Sequence, residues 1–294
     1  MVIKIINKRD VGELYHYAHF ICDCLFPEII NNVYLHKRVI RIHNIKQTIG
    51  IFNKIYENVM QSKNIELPEQ EFNKCLKTTK IINGCNAFQN TTKEEIEIFR
   101  NFIFNRFHIN TQRNINYPEV ILIQRGNQPR LTQLNSSFQK NGKERREINK
   151  MYQLKRYLNQ RFSNRFKPTK NSIRPADSHS SWSMTDKEIN PSPNGADLNL
   201  QRFKTIELEN MPFSQQIRYF KNAKLIIGIH GAAFANNLFC VPGTHIVEVT
   251  SSDCPPIYPY IYFDNISNLC ELNHHKCNNN IECIIETINN IVIE

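Results

Sequence analysis

The sequence predicts an α/β fold that contains a parallel β-sheet, and three segments support this prediction. Two continuous apolar runs, at 120–123 and 225–229, are typical of strands that are buried on both faces. The second run leads through a turn of small residues into a helical stretch that reaches about Phe239, and another apolar run follows at 245–249. A strand, a helix and a strand within so short a span form a βαβ unit, whose two strands are parallel.

The chain of 294 residues is long enough for one large or two small domains. A polar stretch at 114–118 is typical of a linker, so we predict an N-terminal domain over 1–117 and a C-terminal domain over 118–294. Within the second domain, the stretch 136–200 is polar and basic and contains clusters of Ser and Pro. This composition indicates an insertion that is helical only around 148–158.

Further elements follow from hydrophobic spacing and capping signals. A helix is predicted over 14–30 that stops near Pro27, because a proline inside a helix removes a hydrogen bond. A second helix is predicted over 92–107, with Thr92 as its N-cap and acidic residues in its first turn. The remaining predictions are short strands or helix starts at 39–42 and 49–51, a strand at 203–208, and helices at 214–222 and 281–293.

Composition and charge favour a folded protein that meets anionic partners. Hydrophobic residues make up 40% of the chain, which supplies a core and excludes wholesale disorder. The formal net charge of +10 suits nucleic acid, a membrane surface or a phosphorylated small molecule. Many of the basic residues fall within 136–200, where they predict either a solvated surface or a nucleic-acid contact. The abundance of Asn, Ile and Lys is typical of AT-rich genomes, such as those of large DNA viruses and protists.

No segment has the pattern of a targeting signal or a membrane span. Lys8, Arg9 and Asp10 interrupt the first apolar run, and no stretch of about 18 apolar residues is available to cross a bilayer. The nine cysteines lack the dense, regular spacing of a secreted disulfide framework. We therefore expect a cytoplasmic protein without a membrane span.

The turn at the start of the predicted βαβ helix is the strongest candidate for a binding site. His230 follows a buried strand at its carboxyl end, where open parallel sheets bind ligands. Gly231, Ala232 and Ala233 have small side chains or none, so a ligand can approach the backbone. The N-terminus of the following helix favours an anion. The alternative is a turn of small residues that serves only packing.

A second candidate is Arg125, which directly follows the strand predicted at 120–123. We expect it to face the same crevice as His230, because the carboxyl ends of parallel strands meet at one edge of the sheet. A guanidinium group in that place can hold a phosphate through two hydrogen bonds.

A third candidate is the pair His19 and Asp23, which lie one helical turn apart in the first predicted helix. Both side chains therefore project from one face of that helix. A carboxylate beside an imidazole can act as a general base with an orienting partner. The alternative is a hydrogen bond that serves only the structure.

Together these segments resemble the family 61 glycosyltransferases, which include plant xylosyl- and arabinosyltransferases and animal O-linked N-acetylglucosaminyltransferases. The resemblance covers roughly 14–27, 120–135 and 203–249, and the last block is the most specific. Its motifs are His-x-x-x-Asp, then Ile-Leu-Ile-Gln-Arg, and finally Ile-Gly-Ile-His-Gly-Ala followed by Pro-Gly-Thr-His-Ile-Val-Glu-Val.

The resemblance implies a GT-B-like fold, in which two Rossmann-like domains with parallel sheets face a cleft. It implies the inverting transfer of a sugar, N-acetylglucosamine or a pentose, from a UDP-linked donor to a hydroxyl group of a glycan or glycoprotein. It also implies that no metal or other cofactor is required. The chain departs from the family in its lack of a membrane anchor, in its long basic insertion and in its short N-terminal half.

By the same resemblance, Arg125 and His230 contact the diphosphate or the nucleoside of the donor, and the small residues 231–233 of the same turn complete the expected donor site. Glu248 is expected near the ribose or at the end of its strand, and Asp23 or His19 is the candidate base. Two alternatives remain open: a nucleic-acid-binding protein that acts through the basic insertion, and a transferase fold that binds nucleotide without turnover.

Overall fold

The structure is a computed structural model that describes residues 2–6, 17–31, 38–44, 52–61, 65–67, 90–126, 147–162, 202–209, 211–250 and 260–293. Its N-terminal part contains a three-stranded parallel sheet in the order β1-β2-β3. The strands are β1 (Val2–Ile6), β2 (Arg38–Asn44) and β3 (Ile65–Leu67). The apolar run at 39–42 is therefore part of a strand, whereas the run at 49–51 lies outside the described residues.

The C-terminal part is built on a five-stranded sheet in which every neighbouring pair is parallel. Its strands are β4 (Val120–Ile123), β5 (Phe203–Ile206), β6 (Leu225–Ile229), β7 (His245–Thr250) and β8 (Asn273–Asn278), in the order β5-β4-β6-β7-β8. This sheet confirms the predicted α/β class. The division of the chain between 117 and 118 stays a prediction.

The strand order contains a switch point between β4 and β6. After β4 the chain adds β5 on one side, and it then returns to add β6, β7 and β8 on the other side. In open parallel sheets, the two connections that leave a switch point in opposite directions open a crevice at the carboxyl ends of the strands. The fold therefore places a ligand crevice where β4 and β6 end.

Helices cover the sheet on both faces. The first, α1, begins as Tyr17–His19, widens to a π-helix over Phe20–Leu25 and ends as Phe26–Ile29. The others are α2 (Asn53–Met60), α3 (Lys93–Arg106), α4 (Met151–Phe162), α5 (Phe213–Asn222), a 3-10 helix (Ala232–Phe239), α6 (Tyr260–Leu269) and α7 (Ile281–Asn289). Among the described residues, no helix is both long enough and apolar enough to cross a membrane.

Alternation along the strands separates two hydrophobic cores. Ile121 of β4 and Ile226 of β6 face the core formed with α1, α3, α5, the 3-10 helix and α6. Leu122 and Ile227, the next residues on the same strands, face the core formed with α4 and α7. Successive strand residues point to opposite faces, and each large apolar side chain that is fully buried contributes about 1.5–3 kcal/mol. This double burial explains the unbroken apolar runs in the sequence.

The first helix passes the proline that was expected to end it. Pro27 lies at the start of the last α-helical segment of α1, directly after the π-helical stretch. The first positions of a helical segment tolerate proline because their N–H groups need no partner within that segment. Pro27 therefore does not end α1, which continues to Ile29.

The same helix packs against elements that surround the five-stranded sheet. The hydroxyl of Tyr17 donates a hydrogen bond to Asn236 Oδ1 at 2.7 Å, and Phe20 and Phe234 belong to one core. Burial raises the pKa of Tyr17 well above its ordinary value, although the bond to Asn236 opposes that shift. The segment with the His-x-x-x-Asp motif is therefore close in space to the helix that follows His230.

Several elements differ in extent from the sequence predictions. Helix α4 starts at Met151 rather than 148, and α7 ends at Asn289 rather than 293. Apart from 147–162, the basic insertion at 136–200 lies outside the described residues. The sequence analysis missed α6 and β8, because β8 reads Asn-His-His-Lys-Cys-Asn and lacks the apolar signal of an inner strand. It is an edge strand, and polar residues are common there.

Helix α3 begins as the sequence predicts. The Thr92 hydroxyl accepts the Glu95 N–H at 3.2 Å, and the Glu95 carboxylate accepts the Thr92 N–H at 3.0 Å. We expect Thr92→Ala to lower the free energy of unfolding by about 1 kcal/mol, because it removes this capping box. Urea denaturation measures the loss. Thr91→Ala is the matched control, and an equal loss in both variants would contradict the capping assignment.

Candidate functional site

The crevice at the switch point brings Arg125 and His230 together. The guanidinium Nη2 of Arg125 donates a hydrogen bond to the backbone carbonyl of His230 at 3.1 Å. The backbone N–H of His230 donates to the carbonyl of Val249 at 2.8 Å, which extends the β6–β7 ladder by one residue. The two residues that the sequence pointed to independently are therefore neighbours at one edge of the sheet.

The side chain of Arg125 leaves no room for a Cβ at position 231, whereas the backbone angles of Gly231 would suit any residue. Its φ of 164° and ψ of −178° are extended values that any residue adopts. A Cβ at this position would overlap Arg125 Nη2 and would lie 3.2 Å from Arg125 Cζ. The space above Gly231, which the sequence analysis left to a ligand, is thus filled by the guanidinium group.

Ala232 and Ala233 start a 3-10 helix and are half-buried. The N–H of Phe234 donates to the carbonyl of Gly231 at 3.1 Å, so the tight i to i+3 turn uses a donor at this N-terminus. The arginine side chain, rather than the helix N-terminus, is therefore the dominant positive group of the turn.

A small cavity opens beside Arg125 on the side of α4. Its walls include Ile123 of β4, Gln124 directly after that strand, Ile229 of β6, Met151 of α4 and Glu147, and its interior of about 10 Å³ is the size of one water molecule. The Lys155 ammonium donates a hydrogen bond to the Gln124 amide oxygen. This side of the crevice thus combines apolar side chains with two cationic side chains and one acidic residue, Glu147.

The other side of Arg125 is acidic. A Cβ at Gly126 would lie 2.8 Å from Glu209 Oε2 and 3.1 Å from Glu207 Oε2, so both carboxylates approach the backbone directly after Arg125. Two carboxylates thus border this side of Arg125, whereas one acidic residue, Glu147, borders the cavity side. The sequence analysis did not single out these two residues.

Glu248 lies inside the protein below the turn. Its side chain is fully buried, and its Oε1 accepts a hydrogen bond from His230 Nδ1. A carboxylate can only accept, so Nδ1 of His230 carries the proton. Phe263 of α6 packs edge-on against the His230 ring, with 5.4 Å between the ring centroids. The ring of His230 is therefore fixed by a hydrogen bond on one edge and an aromatic contact on its surface.

His274 of β8 contacts the second oxygen of the same carboxylate. Its Nε2 lies 2.8 Å from Glu248 Oε2, and its Nδ1 lies 3.1 Å from Asp264 Oδ1 of α6. Neither contact is aligned as a straight hydrogen bond. Lys276 pairs with the other Asp264 oxygen.

These contacts decide the charge of Glu248. Burial alone would raise the pKa of this carboxyl, but the close contacts of His230 and His274 outweigh burial and lower the pKa to about 2. Glu248 is therefore ionised at neutral pH. Its expected place near the donor ribose stays a prediction, and in the structure its two oxygens contact the imidazoles of His230 and His274.

His274 and Asp264 could not be identified from the sequence. In the register between β7 and β8, Lys276 lies opposite Glu248, and His274 lies opposite Ile246. The contact of His274 with Glu248 therefore depends on β8, a strand that the sequence did not predict. Asp264 reaches His274 only because α6 packs over this face. The structure describes His19 and Asp23 as backbone positions in α1 but not their side chains, so their role as base stays a prediction.

The architecture defines an α/β protein with a parallel sheet and a cationic crevice at the switch point, which is compatible with a Rossmann-like glycosyltransferase. The family model described as Glycosyltransferase 61 matches residues 194–247. That segment contains β5, α5, β6, the 3-10 helix and the first half of β7. The match confirms the resemblance to the family 61 glycosyltransferases over this segment. A comparison with curated proteins found no match.

The depressed pKa of Glu248 makes stability depend on pH. The pKa falls from 4.5 to about 2 on folding, so the ionised carboxylate stabilises the fold above the unfolded-state pKa and loses this effect as the pH falls to about 2. We expect the free energy of unfolding to differ most between wild type and Glu248→Gln above about pH 5. The difference should shrink by a few kcal/mol between about pH 4.5 and about pH 2.

Urea denaturation at a series of pH values measures this difference. Glu97→Gln, which changes an exposed carboxylate on α3, is the control and should follow wild type throughout. A gap between wild type and Glu248→Gln that does not change with pH would contradict the assignment of a depressed pKa.

Proposed function

We propose that the protein transfers a sugar from a nucleotide donor to a hydroxyl group and that the donor diphosphate binds at the switch-point crevice. The observation that carries this proposal is the guanidinium of Arg125, which is fixed between the His230 carbonyl and the α-carbon of Gly231. The match to family 61 supports the reaction class, and the matched segment contains both His230 and Gly231.

The charges around the crevice support a diphosphate as the bound group. Arg125 and Lys155 lie on the cavity side together with one acidic residue, Glu147, whereas Glu207 and Glu209 lie on the other side. A guanidinium can contact two phosphate oxygens at once and stabilises the negative charge that develops on a leaving diphosphate. These two cations therefore support a transfer that requires no metal.

Apolar side chains at the open surface beside the small cavity support a nucleoside next to the diphosphate. Ile123, Ile229 and Met151 provide surface on which a base can rest, and the Gln124 amide can form hydrogen bonds. We propose a UDP-linked donor that carries N-acetylglucosamine or a pentose, in keeping with the family resemblance. The acceptor is a glycan or glycoprotein.

The reaction is a single displacement with inversion. The acceptor oxygen forms a bond to the anomeric carbon while the bond from that carbon to the diphosphate oxygen breaks. The acceptor proton passes to a base, and the nucleoside diphosphate leaves with the electron pair. Asp23 or His19 is the proposed base, because α1 packs against the 3-10 helix that follows His230. A GT-B arrangement, with the N-terminal sheet across a cleft, belongs to the same proposal.

Binding of UDP tests the site. We expect Arg125→Ala to weaken UDP binding by at least about tenfold, because a hydrogen bond to a charged group contributes about 1.5–3 kcal/mol. Gly231→Ala should weaken binding as strongly while it preserves the fold, because its methyl group displaces only the flexible end of Arg125. Isothermal titration calorimetry without metal measures both, and thermal melting verifies folding.

Arg156→Ala is the matched control, since it removes an exposed arginine from α4 without a change at the crevice. Its affinity for UDP should equal that of wild type. A folded wild-type protein that binds neither UDP nor GDP would rule out the proposed donor site. Binding of UDP and UDP-sugars without sugar release or transfer would instead indicate a transferase fold that acts as a binding module.

A further inference from the structure

Two cationic side chains meet at the amino-terminal edge of the five-stranded sheet. Arg113 lies in the segment before β4, and Lys221 lies in the last turn of α5, shortly before β6. Arg113 is exposed, whereas Lys221 is only 1% exposed. This edge is opposite the switch-point crevice, from which it is separated by the length of β6, about 15 Å.

Hydrogen bonds to one amide oxygen bring these two residues together. The Lys221 ammonium donates to Asn222 Oδ1 at 3.3 Å, and the backbone N–H of Asn114 donates to the same oxygen at 2.6 Å. Arg113 is the chain neighbour of Asn114, and its Nη2 donates to Thr244 Oγ1 at 3.2 Å. The Asn222 side chain therefore links the ammonium group to the backbone that carries the guanidinium group.

The hydroxyl of Thr244 gives Arg113 an acceptor but no negative charge. Its Oγ1 lies 2.7 Å from the carbonyl oxygen of Val241 and 3.3 Å from that of Ala223, so the backbone takes up its single proton. The Oγ1 lone pairs are then free to accept the bond from the guanidinium. Arg113 thus bonds to a neutral oxygen, as Lys221 does.

Among the described residues, neither cation forms an ion pair with a carboxylate. Two carboxylates at the same edge of the sheet bond to other cations. Glu119 pairs with Arg202 and Lys224. Glu271 pairs with Lys93. A buried positive charge is strongly unfavourable unless an opposite charge accompanies it, so the edge lacks a counter-charge.

The pKa of Lys221 reflects this imbalance. Burial lowers the pKa from its ordinary value, and the neighbouring charge of Arg113 lowers it further. Helix α5 offers partial compensation, because Lys221 lies in its last turn, where the free carbonyl groups carry about half a unit of negative charge. That partial charge does not balance two cations, and the edge keeps a net positive charge.

A third cation lies close to the pair. Arg100 of α3 donates from Nε to the Leu238 carbonyl at 2.9 Å, and its Nη2 is buried without a hydrogen bond to any oxygen of the described residues. Burial raises the pKa of the Cys240 thiol, and the charges of Arg100 and Arg113 both oppose that rise. Both guanidinium groups therefore lie near Cys240, where their charges add to that of Lys221.

We propose that Arg113 and Lys221 form a second anion site, which binds a phosphate group at the amino-terminal edge of the sheet. A phosphate group carries nearly two negative charges at neutral pH, which matches these two cations. The exposed fork of Arg113 contacts two phosphate oxygens, and the buried ammonium of Lys221 adds its charge from the protein side, where little water screens it. The site is separate from the donor crevice and goes beyond the proposed sugar transfer.

Titration of the full chain with inorganic phosphate tests the site. The measurement is by nitrogen–proton NMR at about pH 8, where phosphate is dianionic, with chloride exchanged for phosphate at constant ionic strength. We expect saturable shifts of the backbone amide signals of Asn114, Lys221 and Thr244. Lys221→Met and Arg113→Gln should each weaken this binding at least about tenfold, because each removes a charge that the anion meets.

Lys93→Met is the matched control, since it removes an exposed lysine whose charge Glu271 balances. It should bind phosphate as wild type does. Arg125→Ala shows which of the two edges takes the anion. The shifts of Asn114, Lys221 and Thr244 should persist in that variant, and their loss would overturn the second site.

Thermal melting provides a second readout. In chloride, we expect Lys221→Met to melt at a higher temperature than wild type, because it removes a buried charge that has no counter-charge. In phosphate, wild type gains stability through binding, so the gap should shrink. Lys93→Met reports the general effect of phosphate on melting. A gap of equal size in both salts would contradict the proposal, and Arg113→Gln, at an exposed position, keeps the binding test valid if Lys221→Met does not fold.

The source of the phosphate group is distinguished by a further ligand. Glucose 6-phosphate carries the same charged group on a larger molecule. Tighter binding than that of inorganic phosphate, with the same loss in Lys221→Met, would support a site for phosphorylated molecules, and equal or weaker binding would support a site for free phosphate. Wild-type protein that shows no saturable shift with either ligand overturns the site, whether or not UDP binds at the donor crevice.

Discussion

The site depends first on the parallel register between β4 and β6. Ile123 pairs with Gly228, so the chain leaves β4 and β6 at nearly the same level and in the same direction. Arg125, two residues beyond the first strand, then reaches the carbonyl of His230, one residue beyond the second. A shift of one residue would turn every side chain of a strand to the other face and would direct this arginine away from the turn. Burial of both sheet faces prevents such a shift, because it would place each core residue in the wrong core.

The second constraint is a buried negative charge. An isolated carboxylate at the position of Glu248 would be strongly unfavourable, because no water solvates it. Imidazoles from β6 and β8 contact its two oxygens, and Asp264 and Lys276 extend the network towards solvent. Removing one partner from such a network costs more than the partner contributes by itself, since it leaves a charge unbalanced. The sheet therefore carries a polar network that must be satisfied as a unit.

The sequence allowed the sheet and the two central residues to be predicted, but not the network around them. The runs 120–123 and 225–229 are apolar because both faces of those strands are buried, and this leaves a clear signal in a single sequence. Arg125 and His230 could be identified because each directly follows such a run. Strand β8 lies at the edge of the sheet and carries polar residues, so His274 gave no signal. Asp264 contacts His274 through the packing of α6, which depends on tertiary structure and not on sequence spacing.

His230 connects the register and the buried charge, because its backbone and its side chain perform different tasks. The carbonyl holds the guanidinium of Arg125, while the ring is held by Glu248 and packs against Phe263. A displacement of the ring therefore shifts the turn that positions the arginine, and a bulkier residue at Gly231 displaces the arginine without a change in the ring. The two changes therefore affect different parts of the site: one moves the Arg125 guanidinium, and the other moves the His230 ring that Glu248 holds. For this reason a substitution at Glu248 should affect stability and the site together, whereas a substitution at Gly231 should affect the site alone.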